Sequence, residues 1–380
     1  MQATEAAEVR EIAPHIPAGL ELGLRNYWYP ILQSEELGRE KPLAIRRLGE
    51  DLVVWRDGEG LPRTLRDRCP HRAAKLSIGR ILDGQLQCIF HGLRFDGMGR
   101  CALIPWEPDD SPLREGVCVT AYPTRELAGY IWAYLGDTAR FPPPPLEDEI
   151  PEELTRPDEF LWFRLPNMVW HANWLLAVDG SDPLHAVTLH AETQAVANEE
   201  WQGGAVKRPT VPLAERRIKL AQGSYGMRAI SVDLEGTPIH QGHVLQARGQ
   251  RFVMPTINTT PLVPAPGAAP CVSRLWQFPV DAHDTFVVRY EVARAQTAAE
   301  RERWTTLFHD VVEPRLAAIA VEDAIVAEAQ GDLVSARSDE HLFAPDADMM
   351  KVRLMLQKAF LVQLRGQRDA PTRDSLVYPL

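Results

Sequence analysis

Residues 69–92 read CPHRAAKLSIGRILDGQLQCIFHG and hold two pairs of metal-grade ligands, Cys69-Pro-His71 and Cys88-Ile-Phe-His91. Each pair mixes one cysteine with one histidine. A tetrahedral zinc site has no use for sorting its ligands, and zinc fingers usually pair like with like. A dinuclear iron-sulfur cluster does sort them: with two loops face to face, both cysteines hold one iron and both histidines the other. On spacing alone the zinc alternative stays open.

The remainder of the chain bounds what such a site could serve. It has 380 residues, 45% hydrophobic, enough for one small and one large domain with ordinary cores. A formal charge of -11 argues against a nucleic-acid groove, which needs clustered Lys and Arg. The first twenty residues lack the apolar core of a signal peptide, and no run approaches twenty apolar residues, so the expectation is a cytoplasmic protein with no membrane partner. Five cysteines, an odd and sparse set, fit a reducing compartment, with Cys101, Cys118 and Cys271 as plain thiols.

The stretch RFPPPPLEDEIPEEL, 140–154, carries four consecutive prolines followed by acids. It reads as an extended, solvated linker. The domain expectation is a tail over 1–20, a small domain over 21–140, the linker over 141–154 and a larger domain over 155–380. Before the linker, short alternating runs recur between turn signals: PLAIRRL, DLVVW, ILDGQLQC with Asp83-Gly84 at its turn, FDGMGRC and GYIWAYL. These predict a small antiparallel β domain. After it come a strand-like EFLWFRL, a helix over HANWLLAV stopped at Asp179-Gly180, strand-like runs from Ile218 to Val292, and two helical stretches. That half reads as α+β.

At this point the spacing Cys-x-His, sixteen residues, Cys-x2-His resembles the Rieske [2Fe-2S] domain, with RCPHR and CIFHGLRFD as its two cluster loops. The resemblance implies Cys69, His71, Cys88 and His91 as cluster ligands. Neutral imidazoles in place of two thiolates give such a cluster a potential of about −150 to +300 mV. The second ring nitrogens of His71 and His91 are a natural exit edge for an electron. Leu93 departs from the common pattern, in which a tryptophan often follows the second loop.

A second ligand set lies in VDGSDPLHAVTLH, 178–190. His185 and His190 are five positions apart, about 140° of rotation on a regular helix, so they converge on one metal only if the helix is distorted or ends between them. Together the two halves resemble the Rieske non-haem iron aromatic-ring-hydroxylating oxygenases over nearly the whole chain. The opening LGLRNYWYPILQSEEL is similar to the phthalate-dioxygenase branch. In that family an Asp-x2-His-x4-His element supplies two iron ligands, which implies His185 and His190 here, with Asp182 bridging rather than ligating. The family's larger domain is a curved antiparallel sheet with helices, a helix-grip-like α+β fold.

A two-histidine, one-carboxylate triad needs an acid, and PRLAAIAVEDAIVAEAQ, 314–330, offers candidates. On a helix Asp323 shares its face with Leu316, Ile319, Ala320, Val326 and Ala327 and points inward. Glu322 falls on the face of Arg315, about two turns away, as an ion-pair partner. Asp323 is therefore the expected third ligand, and the family's late acidic motif falls at the same place; Glu328 and Asp310 are poorer candidates. Asp182 also reads as an N-cap, with Pro183 at the first helical position. His171 and Asn173 read as packing or capping residues, and the scattered histidines receive no role.

The resemblance implies a terminal oxygenase with a [2Fe-2S] cluster and mononuclear Fe(II), acting with O2 on an aromatic or related organic substrate by hydroxylation or O-demethylation. Asp182 would join His185 to His91 of a neighbouring subunit, because cluster and iron within one chain of this family are too far apart, and a head-to-tail homotrimer closes that ring. No Gly-x-Gly-x-x-Gly follows a strand, so NAD(P)H belongs to a separate reductase, with or without a ferredoxin. Two alternatives are a non-catalytic Rieske electron carrier and a zinc-stabilised binding protein.

Overall fold

Three two-residue turns organise the first part of the chain. Leu48-Gly49, Asp83-Gly84 and Ala128-Gly129 all have positive φ at both positions, the backbone of a type I′ turn, whose twist matches that of the strands it joins. They connect β2 (Leu43–Arg47) to β3 (Glu50–Arg56), β5 (Arg80–Leu82) to β6 (Gln85–Gln87), and β10 (Thr124–Leu127) to β11 (Tyr130–Tyr134). With β1 (Trp28–Gln33), β4 (Pro62–Arg66), β7 (Arg94–Phe95), β8 (Cys101–Leu103) and β9 (Ala121–Tyr122), they form three antiparallel sheets, ordered β1-β11-β10, β2-β3-β4-β9 and β5-β6-β7-β8. Leu52, Val53, Val54 and Trp55 of β3 are wholly buried, which is why DLVVW reads as a continuous apolar run rather than an alternating one.

The computed structural model describes residues 16–180, 185, 188–190, 215, 217–223, 226–232, 234–235, 251–262, 271–343, 346–365 and 378–379. The chain divides into two units: Leu22–Thr155, and a larger one made of Met1–Glu21 with Arg156–Leu380. The acidic half of 140–154 is not a solvated extended strand. After the prolines it forms a helical turn, α1 (Leu146–Glu149), and a 3-10 turn at Glu152–Thr155, because Leu146, Ile150 and Leu154 recur at four-residue spacing and are all buried. It is part of the smaller unit.

In the larger unit, β12 (Phe160–Arg164), β13 (Met168–Trp170), β16 (Arg251–Val253), β17 (Ile257–Leu262), β18 (Cys271–Pro279), β19 (Thr285–Arg294) and β20 (Tyr378–Pro379) form one antiparallel sheet, ordered β12-β19-β18-β17-β16-β20 with β13 also on β19. β14 (Arg217–Gly223) and β15 (Gly226–Val232) pair as a separate hairpin. The predicted first helix is short: α2 (Trp174–Asp179) begins at the Asn173 cap, whose side chain accepts from the Leu175 N–H at 3.0 Å, and ends at Gly180. The C-terminal part holds four helices among the described residues rather than two: α3 (Ala298–Leu307), α4 (Glu313–Ala329), α5 (Leu333–Asp339) and α6 (Ala347–Leu364), with a π turn at Phe308–Val312 between α3 and α4.

The long helix α4 lies on the sheet. Leu316 and Ile319 join a cluster with Cys271 and Ala293, while Ala324 and Ala327 pack with Val287 and Leu275. Burying Leu316 and Ile319 contributes about 1.5–3 kcal/mol each, more than intrinsic helix propensity supplies at any one position. Val326 does not belong to that face; it is 40% exposed.

Two further features tie α2 down. Residues ahead of the smaller unit lie on it: the Trp174 indole N–H donates to the Leu20 carbonyl at 3.0 Å, and Asn173 Nδ2 donates to the Glu21 carbonyl at 3.3 Å. At its other end Asp179 sits between two buried guanidiniums, Arg337 at 2.7 Å and Arg353 at 2.8 Å, and Arg353 also holds Glu340 at 2.6 Å.

Candidate cluster and metal sites

Both candidate cluster loops are built on one backbone pattern. In the first, the Cys69 N–H donates to the Ala74 carbonyl and the Ala73 N–H returns to the Cys69 carbonyl; in the second, Cys88 N–H donates to Leu93 and Gly92 N–H returns to Cys88. The fourth residue after each cysteine is left-handed, Ala73 at φ 61° and Gly92 at φ 79°. Glycine takes that conformation freely, whereas alanine does so at a cost. The first loop is further braced by Asp67, whose carboxylate accepts from both the N–H (2.7 Å) and the hydroxyl (2.6 Å) of Ser77.

The loops sort their side chains as the mixed pairs suggest. Cys69 and Cys88 are buried among Trp55, Leu65, Leu76, Leu86, Leu93 and Phe95, so Leu93 serves as a core residue where the tryptophan is missing. His71 and His91 stand at the surface edge with ring centroids 4.7 Å apart. Trp106, which no sequence signal marked, packs on both rings, at 5.4 Å from His71 and 6.2 Å from His91. Burial pushes the Cys69 thiol up to about 11, and the Cys88 sulfur beside it adds to the effect. His91 is lowered by desolvation and by the neighbouring His71 and Arg72. Two thiols and two imidazoles so arranged fit a [2Fe-2S] cluster of the mixed-ligand kind.

The second group lies in the larger unit. One ligand atom each from His185, His190 and Asp323 falls within 4.8 Å of the others. His190 Nε2 is 3.0 Å and His185 Nε2 3.6 Å from Asp323 Oδ1, and the two rings are 5.0 Å apart at 82°. Between the two histidines the His185 carbonyl accepts from both the Thr188 and the Leu189 N–H. Two imidazoles and one carboxylate fit a divalent iron with open positions. Asp182 lies outside the described residues.

One expectation fails. Glu322 does not face Arg315; its Oε2 is 2.6 Å from His190 Nδ1, and Arg315 is buried, which lowers its pKa to about 10. Seven positions separate the two on α4, and the shorter reach to His190 prevails. His190 is thus bracketed by an acid at each ring nitrogen. Burial works to lower its pKa, but the bonds to Asp323 and Glu322 outweigh it and leave it raised. Of the other acids, Glu328 accepts the His171 N–H, and exposed His171 pairs with Asp284 at 2.9 Å.

The two sites together define a class. The chain belongs to the homotrimeric ring hydroxylases: it matches that family's model over residues 134–365 and the Rieske [2Fe-2S] domain over residues 27–123. Among its relatives, the 5,5'-dehydrodivanillate O-demethylase oxygenase subunit of Sphingobium sp. (strain NBRC 103272 / SYK-6) is 34% identical, covering 61% of this chain and 49% of its own. The phthalate 4,5-dioxygenase oxygenase subunit of Pseudomonas putida is 30% identical over 54% of this chain and 46% of its own. Protein TIC 55, chloroplastic, of Arabidopsis thaliana is 32% identical over 46% and 32%. The chain thus spans about a third to a half of the length of these curated relatives. Among solved structures, the reduced complex between oxygenase and ferredoxin in carbazole 1,9a-dioxygenase shares the fold, with a TM-score of 0.69 and 22% identity over 94% of this chain and 95% of that chain. Among the described residues, no helix is long and apolar enough to cross a membrane.

Proposed function

We propose that this chain is the terminal oxygenase of a multicomponent Rieske oxygenase, cytoplasmic and homotrimeric. It hydroxylates or O-demethylates an aromatic or related organic substrate. For a hydroxylation, substrate, O2, two electrons and two protons give the alcohol and water. The observation that carries the reading is the gathering of His185, His190 and Asp323 within 4.8 Å in a chain that also holds the paired Cys-His loops.

In this reading Cys69, His71, Cys88 and His91 hold the [2Fe-2S] cluster, and His185, His190 and Asp323 hold Fe(II). When bound there, the cluster would supply single-electron relay and the iron would supply O2 activation. The chain's own residues do the rest. His71 and His91 present the exit edge under Trp106. Asp182 links His185 to His91 of the next subunit in the ring. Arg66, Arg68 and Arg72 line an open cleft of about 330 Å³ beside Cys69 and His71, a cationic rim suited to an acidic electron donor, either an NAD(P)H-dependent reductase or its ferredoxin.

The test is composition and turnover together. Iron and acid-labile sulfide should show one iron per chain beyond the cluster, and aromatic acids or aryl ethers should stimulate O2 uptake. Cys69→Ser and Cys88→Ser should lose the cluster chromophore while Cys101→Ser and Cys271→Ser keep it. His185→Ala, His190→Ala and Asp323→Ala should keep the chromophore and lose the extra iron. A chain with cluster iron only and no substrate-stimulated uptake is an electron carrier, and a colourless zinc protein ends the reading.

A further inference from the structure

We infer that Glu322 is a positioning residue for the metal site, acting through His190. This inference rests on the assignment of His190 as an iron ligand. An imidazole binds a metal through a nitrogen that carries no proton, and the hydrogen bond at its other nitrogen decides which one that is. His190 is 3% exposed, so no solvent competes for its nitrogens. Its Nδ1 is 2.6 Å from Glu322 Oε2, and its Nε2 is turned to Asp323 Oδ1 at 3.0 Å. With Nδ1–H donating to Glu322, the Nε2 lone pair faces the other donors of the triad.

The placement follows from α4. Glu322 and Asp323 are consecutive, so their side chains leave the helix about 100° apart and reach opposite ends of one ring. Asp323 faces the metal position, and Glu322 backs the ligand. Two consequences distinguish this role from that of a fourth ligand or a surface acid. An acceptor oxygen at position 322 is sufficient, whether or not it carries charge. The effect also vanishes once His190 is gone.

The experiment uses the full chain with its cluster loaded and the mononuclear site emptied by a chelator. Co(II) binding is read by equilibrium dialysis and elemental analysis. Glu322→Ala should weaken Co(II) binding about 10–100-fold, with the thermal midpoint and cluster absorbance unchanged. Glu322→Gln, which keeps an acceptor for Nδ1–H, should recover most of that loss. The double variant His190→Ala/Glu322→Ala should bind no more weakly than His190→Ala. Wild-type binding by Glu322→Ala overturns the inference, as does an additive loss in the double variant. If Glu322→Gln fails as badly as Asp323→Ala, the carboxylate is itself a ligand and the positioning role is wrong. If His190→Ala binds Co(II) like the wild type, the site assignment falls as well, a result separate from the others.

Discussion

Alanine 73 holds a left-handed backbone, φ 61°, at the position where the matching loop uses Gly92. A Cβ in that conformation costs about 1 kcal/mol. Ala73 is exposed, so no packing is lost on trimming it. Ala73→Gly should therefore raise the stability of the smaller unit by about 0.5–1 kcal/mol, read as a later thermal loss of the cluster's visible absorbance. An unchanged or earlier loss would show that the loop is not strained there. At this scale the two facing loops were legible because Cys69-Pro-His71 and Cys88-Ile-Phe-His91 are close pairs in sequence. The residues around them were not. Trp106 lies fifteen positions beyond His91 on a separate loop, and the partner of Glu322 sits 132 positions away.

Elements were legible where each carried its own signal. The strands GYIWAYL and EFLWFRL and the Asp83-Gly84 turn were read from local pattern and are present. The helix over HANWLLAV was read too long, because His171 and Ala172 lie ahead of the Asn173 cap. The acidic stretch after the prolines was read as solvated because three buried residues, Leu146, Ile150 and Leu154, are scattered among its acids. The anchor of α2 had no local signal at all. Asp179 is held by Arg337 and Arg353, and both guanidiniums are more than nine-tenths buried. Removing the charge of Asp179 leaves two buried cations with one acid, Glu340. Breaking such a network costs about 3–5 kcal/mol. Asp179→Asn should lower the thermal midpoint of the larger unit accordingly, and because Asp179 lies six positions before His185, it should also deplete the mononuclear iron. A melt followed by far-ultraviolet circular dichroism, with iron analysis, checks both. A variant with normal stability would mean that the network is spectator charge.

Across the whole molecule, the two sites belong to separate units of the chain, so the proposed chemistry needs a connection between them. Asp182 is the residue assigned to it. Asparagine caps a helix about as well as aspartate, so Asp182→Asn should cost only a small part of the ~0.5–2 kcal/mol of a lost cap. Its amide cannot supply the negative charge or the second acceptor that two imidazoles require. The variant should keep its melting point, its iron and its sulfide, take up electrons from an external donor, and form almost no product. Rapid-mixing absorbance after substrate and O2 are added separates the readings: wild-type reoxidation would make Asp182 a helix cap and nothing more.

The path of the chain carries one more consequence, for how the molecule is made. The segment ahead of Leu22 closes on α2 through Leu20 and Glu21, and Gly19 meets the ring of Phe360 in α6. The larger unit is therefore discontinuous, with Leu22–Thr155 inserted into it. On a ribosome the inserted part is finished while most of its host is still untranslated. Its cysteines can be buried on a nascent chain, whereas Gly19 must wait for Phe360. The inserted unit can thus close before α6 of its host has been made.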